Sequence, residues 1–305
     1  MDYFTYKNGE LHCEGVAVKN IVKKYGTPLY IYSQNSFVER FDNLRNAFTK
    51  IQPLICYSVK ACSNIAILRL LTKHGAGLDI VSGGELYRAS KAKCPMNRVV
   101  FAGVGKTEDE IITAIEKKIL FFNVESEPEL ARINHVACKL GRKVNVALRL
   151  NPNVESHTHH YITTAKKENK FGIDFPTAKK IFKNQSKYKN VVIRGIHLHV
   201  GSQLTKVSPF VNALNKTLAF LDSQKDCAID TINLGGGVGI VYSNEKTISL
   251  KHYAANIEKI IAPRGYNLIL EPGRYIAGNS GIFVTEVQYV KKTQAKKFLI
   301  VFSFE

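Results

Sequence analysis

Lys60 closes the apolar run Pro53-Leu54-Ile55-Cys56-Tyr57-Ser58-Val59. An amine at the end of a buried strand is costly to desolvate unless it is neutralised, paired or used covalently. Joining it to the carbonyl of pyridoxal 5'-phosphate (PLP) is one way to keep it there. A lysine that leaves the strand and reaches water along its aliphatic stem is the other, and this segment alone leaves both open. Reactive side chains recur at the ends of the later apolar runs: Asp79, Asn123, Arg149, His197 and His199, Gly235-Gly236-Gly237, and Glu271. One polar strand end is unremarkable. Amine, acid, guanidinium and imidazole at the same end of consecutive strands point to one shared site.

Three of these motifs carry distinct chemistry. Gly235-Gly236-Gly237 follows the apolar run 231–234, where absent side chains let backbone amides approach an anion. A dinucleotide fingerprint needs a sixth-position glycine, and Ile240 stands there, so phosphate binding and a plain turn remain the two readings. In Glu271-Pro272-Gly273-Arg274 a rigid step brings a carboxylate and a guanidinium to one turn. Arg274 suits a phosphate or carboxylate, and Glu271 could hold a pyridine nitrogen protonated; a local Glu–Arg pair is the plainer alternative. His197-Leu198-His199 puts both imidazoles on one strand face, for stacking on a flat cofactor or for a metal. No carboxylate or third histidine lies near in sequence, which disfavours a metal, and Ser202 just beyond could donate to a phosphate. His157-Thr158-His159-His160 reads as a solvated polar loop.

The elements that must position these groups alternate regularly. Strands are predicted at 54–59, 78–81, 99–102, 120–124, 144–150, 193–200, 231–234 and 268–270. Amphipathic segments lie between them, for example at 64–74, 108–118, 127–140, 176–182, 207–223 and 250–261, several behind capping residues such as Thr107 and Ser126. This rhythm predicts an α/β fold, a (β/α)8 TIM-type barrel whose chemistry collects at the C-terminal strand ends, in preference to an open doubly wound sheet. The ends of the chain break the rhythm and read as short strands of an incomplete β-sheet domain built from both termini. The expected boundaries are 1–32 for N-terminal strands of that domain, 33–275 for the barrel, and 276–305 for the start of its C-terminal part.

Composition narrows the partners. The excess of 43 Lys and Arg over 25 Asp and Glu gives a net charge of +18. The basic residues are dispersed in ones and twos, as in Lys117-Lys118, so a solvated surface is preferred to a nucleic-acid partner. No run is long and apolar enough to span a membrane, and the N-terminus lacks a secretory layout. Six cysteines without a Cys-x-x-Cys pair read as free thiols in a reducing cytoplasm.

Several motifs together resemble the diaminopimelate decarboxylase family of the alanine-racemase-like PLP fold. They are Tyr57-Ser58-Val59-Lys60-Ala61, Gly77-Leu78-Asp79-Ile80-Val81-Ser82-Gly83-Gly84-Glu85-Leu86, Asn169-Lys170-Phe171-Gly172-Ile173, His197–Ser202 with Gln203-Leu204, Asn233–Gly239, and Glu271–Arg274. The opening residues Tyr6–His12 and Gly26–Tyr30 look like the same family, and the resemblance runs from about residue 3 to about residue 301. It implies that Lys60 bears the cofactor, His199 stacks on its ring and Glu271 pairs with its nitrogen. Ser202, Gly235, Gly236, Gly237 and Arg274 would hold phosphate or the substrate carboxylate, Asp79 and Arg149 would support the ring, and Pro272 and Gly273 would complete that turn. The implied reaction converts meso-diaminopimelate to lysine and carbon dioxide. An acid at position 271 favours decarboxylation, whereas a racemase would place an arginine there. The resemblance also implies an amino-acid substrate and a homodimer for the full-length family. After Val301 the family would continue into a sheet domain that carries residues gripping the distal end of the substrate. The ending Phe302-Ser303-Phe304-Glu305 departs from that pattern, so the chain is expected to be truncated, with an unpaired apolar end and little activity. A non-catalytic PLP-binding remnant and a decarboxylase for a related basic amino acid remain as alternatives.

Overall fold

The computed structural model describes residues 3–154, 171–224, 227–244 and 246–302. Eight parallel strands close into a barrel in chain order: Leu54–Ser58, Gly77–Ile80, Val99–Phe101, Phe121–Val124, Val144–Arg149, Val191–His197, Thr231–Asn233 and Asn267–Leu270. The last strand pairs with the first through Leu270 and Ile55. Helices Ile65–Lys73, Gly83–Lys91, Glu108–Glu116, Glu127–Lys139, Phe175–Lys183, Ser208–Asp222 and Leu250–Ile261 lie between consecutive strands. Gln34–Ala47 packs against the first and last of these and completes the outer ring.

Local chemistry starts the helices at the C-terminal end of the barrel strands. Asn64, Ser82, Ser126, Asp174 and Ser249 each accept a backbone N–H at a helix start, and Thr107 forms a reciprocal capping box with Glu110. Each such cap contributes on the order of 1 kcal/mol. The helix Gly83–Lys91 is an element the periodicity did not announce, because it opens on two glycines. Ser82 caps it, and the Glu110 carboxylate accepts the Gly83 N–H at 2.6 Å.

Inside the barrel, two layers follow from the two-residue repeat of a strand. Cys56, Val100, Phe121, Ala147 and Ile269 form a buried apolar plug separate from the larger strand–helix core. Gly195 makes room for it, since a Cβ there would lie 2.9 Å from the Ala147 Cβ. Two residues further along the strands stand Ser58, Asn123, Arg149, His197, Asn233 and Glu271, all buried and polar. Asp79, two residues beyond Gly77, completes the layer. The plug closes the floor, and the polar layer becomes the base of the mouth.

The two ends of the chain meet on one side. Leu29–Tyr32 pairs antiparallel with Gly281–Val284. Phe4–Lys7, Glu10–Cys13 and Val16–Ala17 form a small sheet, followed by the helix Val18–Tyr25 where only strands were expected. Val287–Lys292 and Lys297–Val301 form an exposed hairpin. The apolar end expected to be unpaired is therefore paired along one edge in its described part. The segment from His157 to His160 and the Asn169-Lys170 half of its motif lie outside the described residues. Among the described residues no helix is long and apolar enough to cross a membrane.

Candidate active site

Lys60 lies in the single turn Val59–Ala61 that follows the first barrel strand. Its side chain is 56% exposed and lines the open mouth. Its Nζ donates to Asp79 Oδ2 at 3.1 Å, and the Ser58 hydroxyl lies 2.5 Å from the same oxygen. The Asp79 charge, acting against partial burial, raises the pKa of Lys60. Burial and then the nearby Glu271 charge raise that of Asp79 itself, against the pull of Lys60.

Glu271 stands one residue past the last barrel strand and is held by three side chains. Asn123 Nδ2 donates to Oε1 at 2.9 Å, Asn233 Nδ2 to Oε1 at 2.6 Å, and His197 Nε2 lies 2.9 Å from Oε2. A carboxylate only accepts, so His197 carries its proton on Nε2 in this contact. Burial would raise the Glu271 pKa, but His197, Lys60 and Asn233 outweigh it and bring it to about 2. The acid is therefore an anion throughout the neutral range. His199, on the same strand side two residues on, opens one edge to the mouth. Burial first, then Arg149 and Lys60, push its pKa down to about 3, so its ring is neutral.

A cavity of about 390 Å³ is lined by Lys60, His199, Ser202, Gly236, Gly237, Glu271, Gly273 and Arg274, among others. The amine, imidazole and acid thus share one mouth with Ser202, the glycine backbones and a guanidinium. Arg274 Nε donates to Ser202 Oγ at 3.2 Å. Asp79, Arg149, Gly235 and Pro272 stand behind the lining. Asp79 reaches the mouth through Lys60. Arg149 is paired with Glu125 at 2.7 Å, with its guanidinium over Phe171. Pro272 accepts the Ser58 N–H at 3.1 Å, and the Gly235 N–H is held by Asn233 Oδ1 at 3.0 Å. The glycine run answers to close packing as well as to the cavity: a Cβ at Gly236 would sit 2.2 Å from the Glu271 carbonyl oxygen.

Sequence reading missed the work of Ser58, Asn123, Asn233 and Glu125, and treated His197 only as a possible twin of His199. The available signal was the two-residue step beyond the apolar plug, which reaches Ser58, Asn123, His197 and Asn233 in turn.

A parallel barrel with a lysine at its mouth, a buried acid, and a rim of serine, arginine and glycine carries the groups that a PLP-dependent (β/α)8 enzyme needs. The comparisons with known proteins agree. The family described as pyridoxal-dependent decarboxylase, pyridoxal binding domain, matches residues 34–278. The diaminopimelate decarboxylase of Aquifex aeolicus is 46% identical over 98% of this chain and 71% of its own length. That of Neisseria meningitidis serogroup A is 43% identical over 95% of this chain and 72% of its own. The crystal structure of the Helicobacter pylori enzyme complexed with L-lysine superposes with a TM-score of 0.88 at 39% identity, covering 93% of this chain and 72% of that one. The chain belongs to the diaminopimelate decarboxylase family of PLP-dependent lyases.

The residues present fit this cofactor. Asp79 Oδ1, Asn123 Oδ1 and His197 Nδ1 are buried beside the mouth without a protein partner among the described residues, so the polar layer has capacity left for a ligand. Serine, guanidinium and glycine amides gather at the rim, where a phosphate needs donors, while a carboxylate fixed as an anion lies at the base.

Proposed function

We propose that this chain decarboxylates meso-2,6-diaminopimelate to L-lysine with PLP held in the barrel mouth. The observation that carries the reading is the convergence of Lys60, His199 and Glu271 on one cavity. The cofactor supplies an electron sink for the charge left when carbon dioxide departs. Lys60 is the residue assigned to bear it. Asp79 keeps that amine aimed at the mouth and tunes its proton affinity. Glu271 stays anionic through His197, Lys60 and Asn233, with Asn123 as a further donor, which suits it to keep a pyridine nitrogen protonated. His199, neutral and planar, offers a face for stacking without adding charge. Ser202, Gly236, Gly237 and Arg274 are assigned to the phosphate or the substrate carboxylate, with Gly235, Pro272, Gly273 and Arg149 holding the surrounding backbone and side chains. The six free cysteines support a reducing cytoplasmic setting, and the exposed terminal hairpin supports assembly with a second copy.

Adding PLP to the purified chain is expected to give a visible absorbance band that Lys60→Ala abolishes, together with lysine formation from meso-diaminopimelate. Absence of the band refutes the reading. A band without lysine formation selects cofactor binding without turnover, and turnover of another basic amino acid in its place reassigns the substrate.

A further inference from the structure

Tyr242 lies on the loop after the glycine run and is 60% exposed. Its hydroxyl accepts from Arg274 Nη1, and the Arg274 guanidinium stands 5.9 Å from its ring centroid. The other side of the same guanidinium donates through Nε to Ser202 Oγ. Arg274 is thus gripped at two points, and a guanidinium has more N–H donors than these contacts use. Arg274 lines the cavity together with Gly236 and Gly237.

The loop bearing Tyr242 is itself fastened. The Gln203 side chain clasps Ile240 from both sides: its Nε2 donates to the Ile240 carbonyl at 2.6 Å, and its Oε1 accepts the Ile240 N–H at 3.1 Å. Asn279 Nδ2 donates to the Val241 carbonyl at 3.1 Å. Gln203 and Asn279 have φ of 58° and 61°, the left-handed region that costs a non-glycine residue energy. Gln203, on the loop after the sixth barrel strand, and Asn279, just before the strand Gly281–Val284, adopt that conformation, and both spend their amides on the same short segment. Gly278 lies against Ile240 as well, since a Cβ there would be 2.4 Å from its Cδ1.

We propose that Tyr242 is a positioning residue that fixes the Arg274 guanidinium for an anionic oxygen pair of the ligand, with Gln203 and Asn279 holding Tyr242 in place. The inference rests on the assignment of Arg274 as an anion anchor. The anion is a phosphate or a carboxylate, and the two sources can be told apart. Tyr242→Phe removes the hydroxyl and keeps the ring; losing one hydrogen bond to a charged group at this exposed site predicts a binding constant about three- to tenfold weaker. Tyr242→Ala should weaken it further, and Gln203→Ala should shift the same constant in the same direction.

The test uses the full chain. PLP and pyridoxal, which lacks the phosphate, are titrated into the cofactor-free protein, and meso-diaminopimelate is titrated into the PLP-loaded protein by its effect on the cofactor spectrum, which needs no turnover. A loss confined to PLP assigns the grip to the phosphate. A loss confined to meso-diaminopimelate assigns it to a substrate carboxylate. Either supports the proposal, and thermal unfolding midpoints should match wild type. If Arg274→Lys weakens binding while Tyr242→Phe and Tyr242→Ala bind as wild type, Tyr242 does not position Arg274. If Arg274→Lys itself changes nothing, the anchor assignment fails and the proposal falls with it.

Discussion

Asn123, His197 and Asn233 converge on the carboxylate of Glu271, and the pull of His197, Lys60 and Asn233 is what keeps this buried acid ionised. Glu271→Gln keeps the shape and removes the charge, so turnover is expected to fall about a hundred- to a thousandfold while PLP still binds. Steady-state rates beside an absorbance titration check this. The acid limb of the pH–rate profile should belong to another group, because Glu271 is ionised down to about pH 2. His199 gives a stability prediction. Its folded pKa is about 3 against an ordinary 6.5, so between those values the unfolded chain binds a proton that the folded chain does not. Stability therefore falls as pH drops from 6.5 towards 3. Glu271 adds the same sign below 4.5, and Asp79, with its pKa raised, opposes it above 3.8. Urea midpoints of the cofactor-free protein should decline over this range, and His199→Asn should flatten the decline; an equal slope in the variant contradicts a neutral His199.

The strand-and-helix alternation was the most legible element-scale feature, because buried parallel strands read as continuous apolar runs between caps. The predicted helix 250–261 matches Leu250–Ile261, and each barrel strand falls within a few residues of its expected place. Four helices among the described residues were not singled out. Gly83–Lys91 opens on glycines, Val18–Tyr25 is barely two turns, Gln34–Ala47 falls before the first barrel strand, outside the repeating unit, and Arg274–Ala277 is a single turn. Asn123 was legible as a strand-end residue, and Asn233 and Ser58 only as members of motifs; none was legible as a partner, because which strands face one another across a closed barrel is a property of the closure. The buried pair of Lys106 and Glu129, 2.6 Å apart with the amine 1% exposed, had no sequence signal either. Lys106 also donates to the Gly103 and Asn123 carbonyls, tying the pair to the loop after the third strand. Lys106→Met leaves an uncompensated buried carboxylate and should cost about 3–5 kcal/mol in urea unfolding. Gly195→Ala pushes a methyl into the barrel plug and should cost about 1–3 kcal/mol.

For the molecule as a whole, the chain spans 71% of the length of its Aquifex relative, and the described surface includes an apolar hairpin. Val290 and Leu299 face each other across that hairpin and are 50% and 58% exposed. An exposed apolar strand edge pairs readily with other chains. Light scattering should therefore show association of the purified chain, and replacing Val290 with Lys and Leu299 with Glu should reduce it; association unchanged by the pair would point to another surface. The meeting of both chain ends was legible as short strands at each terminus, whereas their register required Leu29–Tyr32 and Gly281–Val284 to find each other in space. The central claim is that one mouth amine bears the cofactor. Borohydride reduction of the PLP-loaded protein followed by peptide mass spectrometry tests it directly. A single pyridoxyl group on Lys60 is the predicted result; modification at a different lysine, or scattered over the basic surface, contradicts it.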